Sequence, residues 1–172
     1  AGALGLPVPQ VEASEQVEEA LDLIRYAPGG SRGLSLRRAH SGFTGPDRAE
    51  FTKNANQNIM LMVQIESKRA VENLDAICGV GGIDVLFVGP SDLSHSYAGS
   101  APDDVERAID RVIQEGQAHG INTGIHHSNL SYVSRLVDSG MRFISCNTEV
   151  GAIISTFGEA RKTIRTSQHG SA

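Results

Sequence analysis

The stretch IMLMVQIESKRAVENLDAICGVGGIDVLFVGPSDL, residues 59–93, decides the fold class of this 172-residue chain. Two apolar runs, residues 59–65 and 83–88, are separated by a segment of the right length for a connecting helix. Strand, helix and strand at this spacing predict a βαβ unit with parallel strands. Glu66 follows the first run and Asp92 follows the second. We therefore expect both carboxylates at the carboxyl edge of one sheet, where parallel α/β folds bind their ligands.

Two carboxylates that converge at such an edge favour a hard divalent cation, with Mg²⁺ or Mn²⁺ as the leading choices. The simpler explanation is that each acid is a surface charge or a helix cap. Gly89-Pro90 makes a sharp turn, and Ser91 or Asp92 could cap the helix that follows. Capping and metal ligation are compatible, because each needs a single oxygen.

The composition predicts one globular domain with a sizeable core, since 40% of the residues are hydrophobic and 20% are charged. A net charge of −5 and the lack of a basic cluster argue against a nucleic-acid partner. No apolar span reaches the ~18 residues of a membrane helix, and no signal-like run is evident, so we expect no membrane partner and a cytoplasmic location. Cys78 and Cys146 lie in apolar segments far apart, which predicts two buried free thiols.

The rest of the chain continues the alternation of strands and helices, which predicts a parallel α/β sheet of about five strands. The other predicted strands cover residues 3–8, 121–125 and 141–146. The predicted helices begin at or near Ser14, Ser67, Pro102, Leu130 and Glu149. Ser14 and Ser67 are predicted to cap theirs, and the last helix is predicted to end at Ala160. A (β/α)₈ barrel needs eight strands, so this chain alone cannot close one.

Residues 31–58 interrupt this alternation, because they are polar, rich in Arg and without a clear period. We predict a long connection here, with a short strand or turn near Leu34. A connection of this length either covers a site or is a plain surface loop. For the chain as a whole we expect a domain at residues 1–160 and a polar tail at residues 161–172, frayed from Thr163 onward.

Four segments together resemble the HpcH/HpaI aldolase family, the class II pyruvate aldolases that act on 4-hydroxy-2-oxo acids. They are GLPVPQVEASEQ at residues 5–16, RYAPGGSRG at residues 25–33, Gln64-Ile65-Glu66, and Gly89-Pro90-Ser91-Asp92-Leu93. The resemblance extends from about residue 1 to about residue 160. It implies a parallel (β/α) barrel of the TIM type, with about five of eight βα units present in this chain. It also implies a homo-oligomer, commonly a hexamer of domain-swapped dimers.

By this resemblance, Glu66 and Asp92 are the two protein ligands of a divalent metal, Mg²⁺ or Mn²⁺, with Co²⁺ as a further choice. The substrate-binding residues that it implies are Gln64, Gly89, Pro90, Ser91 and Asp92. The backbone amides of Ser91 and Asp92 would hold the carboxylate of pyruvate, as helix N-termini hold anions. The metal would chelate the 2-oxo acid and act as a Lewis acid on the enolate that forms when the C3–C4 bond breaks.

The implied function is a metal-dependent carbon–carbon lyase that cleaves a 4-hydroxy-2-oxo acid to pyruvate and an aldehyde. Two alternatives stay open. One is an oxaloacetate decarboxylase or a C–C bond-forming synthase that uses the same enolate. The other is a non-catalytic metal- or oxo-acid-binding protein. No catalytic residue is assignable, because the family's Asp-His pair and Arg belong to barrel strands that would precede residue 1. The chain is then either a piece of a longer protein or a shortened homologue.

Three histidines are candidates for the missing proton-transfer group. His126 and His127 follow the predicted strand at residues 121–125, and His95 falls three residues after Asp92. Histidine readily moves a proton at neutral pH. The alternative for each is an ordinary surface histidine beside a helix cap.

Overall fold

The computed structural model describes residues 2–101 and 103–169, with side chains described as far as Arg165. Its strands are β1 (Gly5–Val8), β2 (Met60–Ile65), β3 (Val85–Val88), β4 (Asn122–His126) and β5 (Phe143–Ser145). Its helices are α1 (Ser14–Ile24), α2 (Arg48–Asn58), α3 (Lys68–Glu72), α4 (Leu74–Gly79), α5 (Pro90–Ser96), α6 (Asp104–His119), α7 (Leu130–Asp138) and α8 (Glu149–His169), with a 3₁₀ turn at Ala39–Ser41. None of the helices within the described residues is long and apolar enough to cross a membrane.

The five strands form one sheet in chain order, and every neighbouring pair is parallel, which confirms the predicted α/β architecture. The register places Ile65 beside Val88, Val88 beside Ile125, and Ile125 beside Ile144. The first three of these residues are fully buried in the core between the sheet and its helices, and Ile144 packs against that core. One face of the sheet is therefore the helix-covered face.

The next residue along each of these strands lies on the opposite face, because side chains alternate along a strand. These residues form a row across the carboxyl edge of the sheet, and we call it the edge row: Glu66, Gly89, His126 and Ser145. The pairing of His126 with Ser145 is the last step of this register. The edge row brings together residues that are far apart in sequence.

The helix after Glu66 begins as predicted, because the Ser67 hydroxyl accepts a hydrogen bond from the Ala70 N–H at 3.0 Å. The predicted single helix is instead two, α3 and α4, which meet at Asn73. The Asn73 side-chain amide donates to the Glu12 carbonyl at 2.7 Å, which ties the junction to the loop before α1.

The predicted Ser14 cap of α1 is wrong. The Ser14 hydroxyl bonds the Glu15 carboxylate, and no side chain caps the helix at its N-cap residue, Ala13. The Gln16 side-chain oxygen reaches back instead and accepts from the N–H groups of Glu12 and Ala13, at 2.7 and 3.0 Å. A long amide side chain one turn into the helix thus satisfies donors that precede it.

The connection at residues 31–58 is only partly irregular, because α2 occupies its last eleven residues. The Asp47 carboxylate caps α2 by accepting from the Glu50 N–H at 2.9 Å. No residue of α2 is buried, so the helix lacks the apolar stripe by which sequence patterns reveal helices. No strand forms near Leu34; of the predicted strand or turn, the structure has bends at residues 36–38 and the 3₁₀ turn at Ala39–Ser41. The connection runs from the end of α1 to the start of β2, so it lies at the amino edge of the sheet, away from Glu66.

The helices in the second half of the chain begin and end as follows. Gly120 ends α6 in the left-handed conformation, with φ +68°. Pro102, predicted to begin this helix, lies outside the described residues. The last helix, α8, continues to His169, beyond its predicted end at Ala160, so the expectation of fraying is wrong for residues 163–169.

The two cysteines differ, although both were predicted to be buried. Cys78 on α4 is 3% exposed, and its burial raises the pKa of the thiol to about 12. Cys146 is exposed, so the prediction is wrong for it. It directly follows β5, an edge strand of the sheet, where no further strand covers the chain.

Candidate functional site

A cleft of about 560 Å³ lies at the carboxyl edge of β2, β3 and β4. It is lined by every residue that the sequence pointed to as a metal or substrate ligand: Gln64, Glu66, Gly89, Pro90, Ser91 and Asp92. The other lining residues are Phe87, Val88, Ser94, His126, His127 and Ser128. The predicted convergence at one sheet edge is therefore present, and the assignment of roles to these residues stays a prediction.

Glu66 is held in place by backbone on two sides. It is 9% exposed, and its Oε1 accepts a hydrogen bond from the Gln10 N–H at 2.8 Å. Gln10 has a left-handed backbone, with φ 55°, which is uncommon for a residue other than glycine. On the other side the carboxylate lies over Gly89, where an added Cβ would stand 2.6 Å from Oε2. A side chain at position 89 would therefore displace the carboxylate.

No cationic side chain neutralises this carboxylate. In the part of the chain that the structure describes, neither Glu66 nor Asp92 forms an ion pair with Lys, Arg or His. A buried carboxylate is costly unless it is paired or well hydrogen-bonded, and the Gln10 N–H accounts for one of the Glu66 oxygens. The residues present therefore fit a cation that the chain does not itself supply.

Asp92 lies in the first turn of α5 and is exposed to the cleft. No side chain caps α5, so the alternative in which Ser91 or Asp92 serves as the cap is wrong. The first N–H group of α5 that donates a hydrogen bond within the helix is that of Leu93, and its acceptor is the Gly89 carbonyl at 2.9 Å. The N–H groups of Ser91 and Asp92 come before it and have no partner within the helix. They are free to donate to a ligand in the cleft.

Of the candidate histidines, His126 is the one with a polar contact across the edge row. Its Nδ1 lies 2.9 Å from the Ser145 hydroxyl oxygen on β5. His127 also lines the cleft, but its Nδ1 accepts from the Asn129 N–H at 3.0 Å and belongs to the turn before α7. His95 is exposed on α5 and does not line the cleft.

A model of the protein family described as HpcH/HpaI aldolase/citrate lyase matches residues 1–156. The chain belongs to this family. The predicted resemblance is thereby confirmed. Among curated relatives, the 5-keto-4-deoxy-D-glucarate aldolase of Shigella boydii serotype 18 is 34% identical over 162 residues, which cover 92% of this chain and 62% of the relative. The chain thus spans about three-fifths of the length of the curated relatives it matches.

Solved structures of the HpcH/HpaI family have the same fold over nearly all of this chain. The HpcH/HpaI aldolase from Desulfitobacterium hafniense superposes with a TM-score of 0.86 at 27% identity and covers 95% of this chain and 64% of its own. An HpcH/HpaI aldolase/citrate lyase family protein from Burkholderia cenocepacia gives a TM-score of 0.88 at 29% identity, with 95% and 66% covered. The five parallel strands of this family member form a curled half-barrel.

A second cluster of potential ligands was not predicted from the sequence. It consists of Asp75 on α4 with Glu115 and His119 on α6, and we call it the outer trio. One ligand atom from each lies within 4.8 Å of the others. His119 Nε2 is 3.5 Å from the Asp75 carboxylate and 3.9 Å from that of Glu115. The i,i+4 spacing of Glu115 and His119 could have shown that they share a helix face, but nothing local places Asp75 beside them.

Proposed function

We propose that this chain carries the metal and oxo-acid site of a divalent-metal-dependent carbon–carbon lyase. The proposed reaction is the aldol cleavage of a 4-hydroxy-2-oxo acid to pyruvate and an aldehyde. The observation that carries the proposal is Glu66, a buried carboxylate without a cationic partner, in the same cleft as Asp92. Membership of the HpcH/HpaI family supports the reaction class.

The carboxylates of Glu66 and Asp92 would hold the cation. A purely oxygen donor set suits hard cations, so Mg²⁺ or Mn²⁺ is the proposed ion, with Co²⁺ as a further choice. A divalent cation there supplies Lewis-acid stabilisation of negative charge at the oxygen of the 2-oxo group. The Gln10 N–H and the backbone at Gly89 fix the position of the Glu66 carboxylate. Because this side chain is already ordered, binding a cation would cost less conformational entropy.

The substrate would lie along the first turn of α5. The N–H groups of Ser91 and Asp92 would donate to the carboxylate of the oxo acid, and Pro90 has no N–H to compete for it. The Gln64 side chain is on the same face of β2 as Glu66, two residues earlier, and lines the same cleft. It would hydrogen-bond the substrate or a cation-bound water.

For the whole protein we propose a TIM-type barrel of eight βα units, a homo-oligomer and a cytoplasmic location. The greater length of the curated relatives and the open edges at β1 and β5 support the barrel. An exposed apolar stripe on α8 supports self-association. This stripe includes Val150, Ile153, Ile154 and Phe157, each more than half exposed. Light scattering on the protein as its gene encodes it, compared with Phe157→Glu, tests the oligomer: a monomeric wild type would contradict it.

Pyruvate release from a 4-hydroxy-2-oxo acid tests the reaction. The protein as its gene encodes it is assayed with Mg²⁺, Mn²⁺ or Co²⁺, then with EDTA, and beside Asp92→Asn. Asp75→Asn serves as the matched control, since it neutralises an exposed acid outside the cleft. We expect activity that EDTA and Asp92→Asn remove and that Asp75→Asn leaves intact. Activity that ignores chelator and Asp92→Asn contradicts the proposal.

Two outcomes would select the alternatives. Metal-dependent turnover of oxaloacetate without cleavage of a 4-hydroxy-2-oxo acid would indicate a decarboxylase or a synthase. Metal-dependent pyruvate binding without any turnover would indicate a non-catalytic binding protein.

A further inference from the structure

His126 occupies a special place in the edge row. Adjacent strands of a sheet are about 4.8 Å apart. The Glu66 carboxylate lies over Gly89, the edge-row residue of β3, and is thereby displaced from its own strand toward β4. Gly89 contributes no side chain, so the next side chain along the row is that of His126 on β4. A small ligand beside the Glu66 carboxylate, above Gly89, would meet His126 on its other side.

The His126 ring is held by its neighbour in the row. Nδ1 lies 2.9 Å from the Ser145 hydroxyl oxygen, across a register pair of β4 and β5. A serine hydroxyl both donates and accepts, so this contact orients the ring in either neutral tautomer. The other ring nitrogen, Nε2, has no hydrogen-bond partner among the described residues. The His126 side chain is half-buried and lines the cleft.

His127, the next residue in the chain, has a structural role at the same edge of the sheet. The His127 ring packs against the Tyr132 ring at a tilt of 39° with 4.7 Å between ring centroids, and its Nδ1 accepts from the Asn129 N–H. These contacts fasten His127 to the start of α7. Among the described residues, the His126 side chain has no such contact with a helix, and the single hydrogen bond of its ring leads along the edge row.

We propose that His126 donates a hydrogen bond through Nε2 to an oxygen of the 2-oxo acid bound at Glu66 and Asp92, and that Ser145 positions its ring. This inference rests on the proposed function and adds a substrate contact from β4 to ligands that β2 and α5 supply. The inference predicts that His126 contributes to the affinity for the 2-oxo acid and not to the affinity for the cation. The reason is that His126 contacts the acid from the side of Gly89 opposite Glu66.

Calorimetry of oxalate binding in saturating Mn²⁺ tests this assignment, with the protein as its gene encodes it. Oxalate is the probe because it presents the same pair of chelating oxygens as a 2-oxo acid. We expect His126→Ala to weaken oxalate binding by about tenfold, the usual effect of losing one hydrogen bond to a charged group. His126→Gln should recover most of the affinity, because its amide nitrogen can reach the position of Nε2. The control, His95→Gln, changes an exposed histidine outside the cleft and should bind oxalate as the wild type does.

Ser145→Ala tests the positioning role. We expect it to weaken oxalate binding by a few-fold in the wild-type background and to have no further effect in His126→Ala, because a positioning residue acts only through the ring it holds. Mn²⁺ binding without oxalate should be equal in all these variants.

Unchanged oxalate affinity in His126→Ala, or an equal loss of Mn²⁺ affinity, overturns the assignment while the proposed function stands. A wild type that binds no Mn²⁺, or binds it equally well in Glu66→Gln, overturns the proposed function itself.

Discussion

The cleft and the outer trio are two places where acids converge, and they differ in what satisfies those acids. In the cleft, Glu66 is nine-tenths buried and has one backbone N–H as its partner. In the outer trio, the three ligand atoms are mutually close, but His119 lies between the two carboxylates, and Arg111 is 4.0 Å from that of Glu115. The carboxylates of the trio thus have Arg and His side chains beside them, whereas the Glu66 carboxylate forms no ion pair among the described residues. Closeness of ligand atoms is therefore a weaker sign of a cation site than a buried charge without a partner.

The two places also differ in the kind of cation that they would favour. The two proposed ligands in the cleft, Glu66 and Asp92, are both carboxylates, whereas the outer trio adds an imidazole and would prefer a borderline metal such as Zn²⁺. The Asp75 side chain in the trio is 84% exposed, so holding it in one position costs conformational entropy. In the cleft that cost is reduced, because backbone atoms already fix Glu66. The predictions below separate the two places, from the largest expected effect to the smallest.

Glu66→Gln should reduce metal-dependent pyruvate release by roughly a thousandfold, because a cation contributes several kcal/mol to the reaction. The substitution keeps the size of the side chain and removes its charge. Steady-state kinetics at saturating Mn²⁺ measures the effect. Glu115→Gln, the same change in the outer trio, should leave the rate within about twofold of wild type. A reversed ranking of the two variants would move the active cation to the trio.

Gly89→Ala should lower the apparent affinity for Mn²⁺ and the rate by about a hundredfold, because its Cβ would come within 2.6 Å of Glu66 Oε2 and displace the carboxylate. Titration of activity with Mn²⁺ measures it, and circular dichroism checks that the fold is kept. Gly79→Ala is the matched control, since its Cβ would meet no atom within 4 Å. Wild-type affinity in Gly89→Ala would show that the position of the Glu66 carboxylate does not matter.

His119→Gln should leave the metal dependence unchanged and lower the free energy of unfolding by less than about 1 kcal/mol, as expected for exposed ion pairs. Urea denaturation followed by circular dichroism measures the stability. A large stability loss that appears only when a metal is present would show that the outer trio binds a cation.

The smallest expected effect is a pH dependence of stability that arises from the Cys78 thiol, which lies near two members of the outer trio. Its pKa is raised to about 12 from an ordinary 9.0, first by burial and then by the carboxylates of Glu115 and Asp75. The folded protein thus favours the neutral thiol, so this contribution to stability is complete below about pH 9 and is lost as the pH rises toward 12. The urea concentration at the midpoint of unfolding should therefore fall as the pH rises above about 9, and Cys78→Ala should make this fall smaller.

Thiol labelling gives a second reading of the same group. At pH 8 the exposed Cys146 should react readily in the folded protein, and the buried Cys78 should react only on unfolding. In Glu66→Gln, which should lack the cleft site, adding Mn²⁺ should not change the labelling of Cys78. Slower labelling in this variant with Mn²⁺ would indicate a cation bound at the trio, because a cation that binds only the folded protein makes unfolding rarer.

The sequence predicts the sheet and the convergence at its edge for simple reasons. Buried parallel strands are continuous apolar runs, and chain order fixes that their carboxyl ends share one edge, so Glu66 and Asp92 were predictable. The cap at Ser67 was predictable as well, since it depends on atoms three residues apart. The cap of α1 was not predictable in the same way, because the Gln16 side chain, and not Ser14, accepts hydrogen bonds from the N–H groups at the start of the helix.

What the sequence could not reveal depends on register and on atoms distant in the chain. The Gln10 N–H reaches Glu66 across 56 residues, and the His126–Ser145 contact follows from a strand pairing that no local pattern specifies. The helix α2 escaped prediction because none of its residues is buried. The outer trio joins two helices whose relative rotation is set by packing.

Direct titration with Mn²⁺, read by calorimetry, tests the central claim that the cleft acids hold the cation. For the wild type we predict one site, lost in both Glu66→Gln and Asp92→Asn and retained in Asp75→Asn and His119→Gln. Binding that survives both cleft substitutions, or that disappears with His119→Gln, would contradict the account.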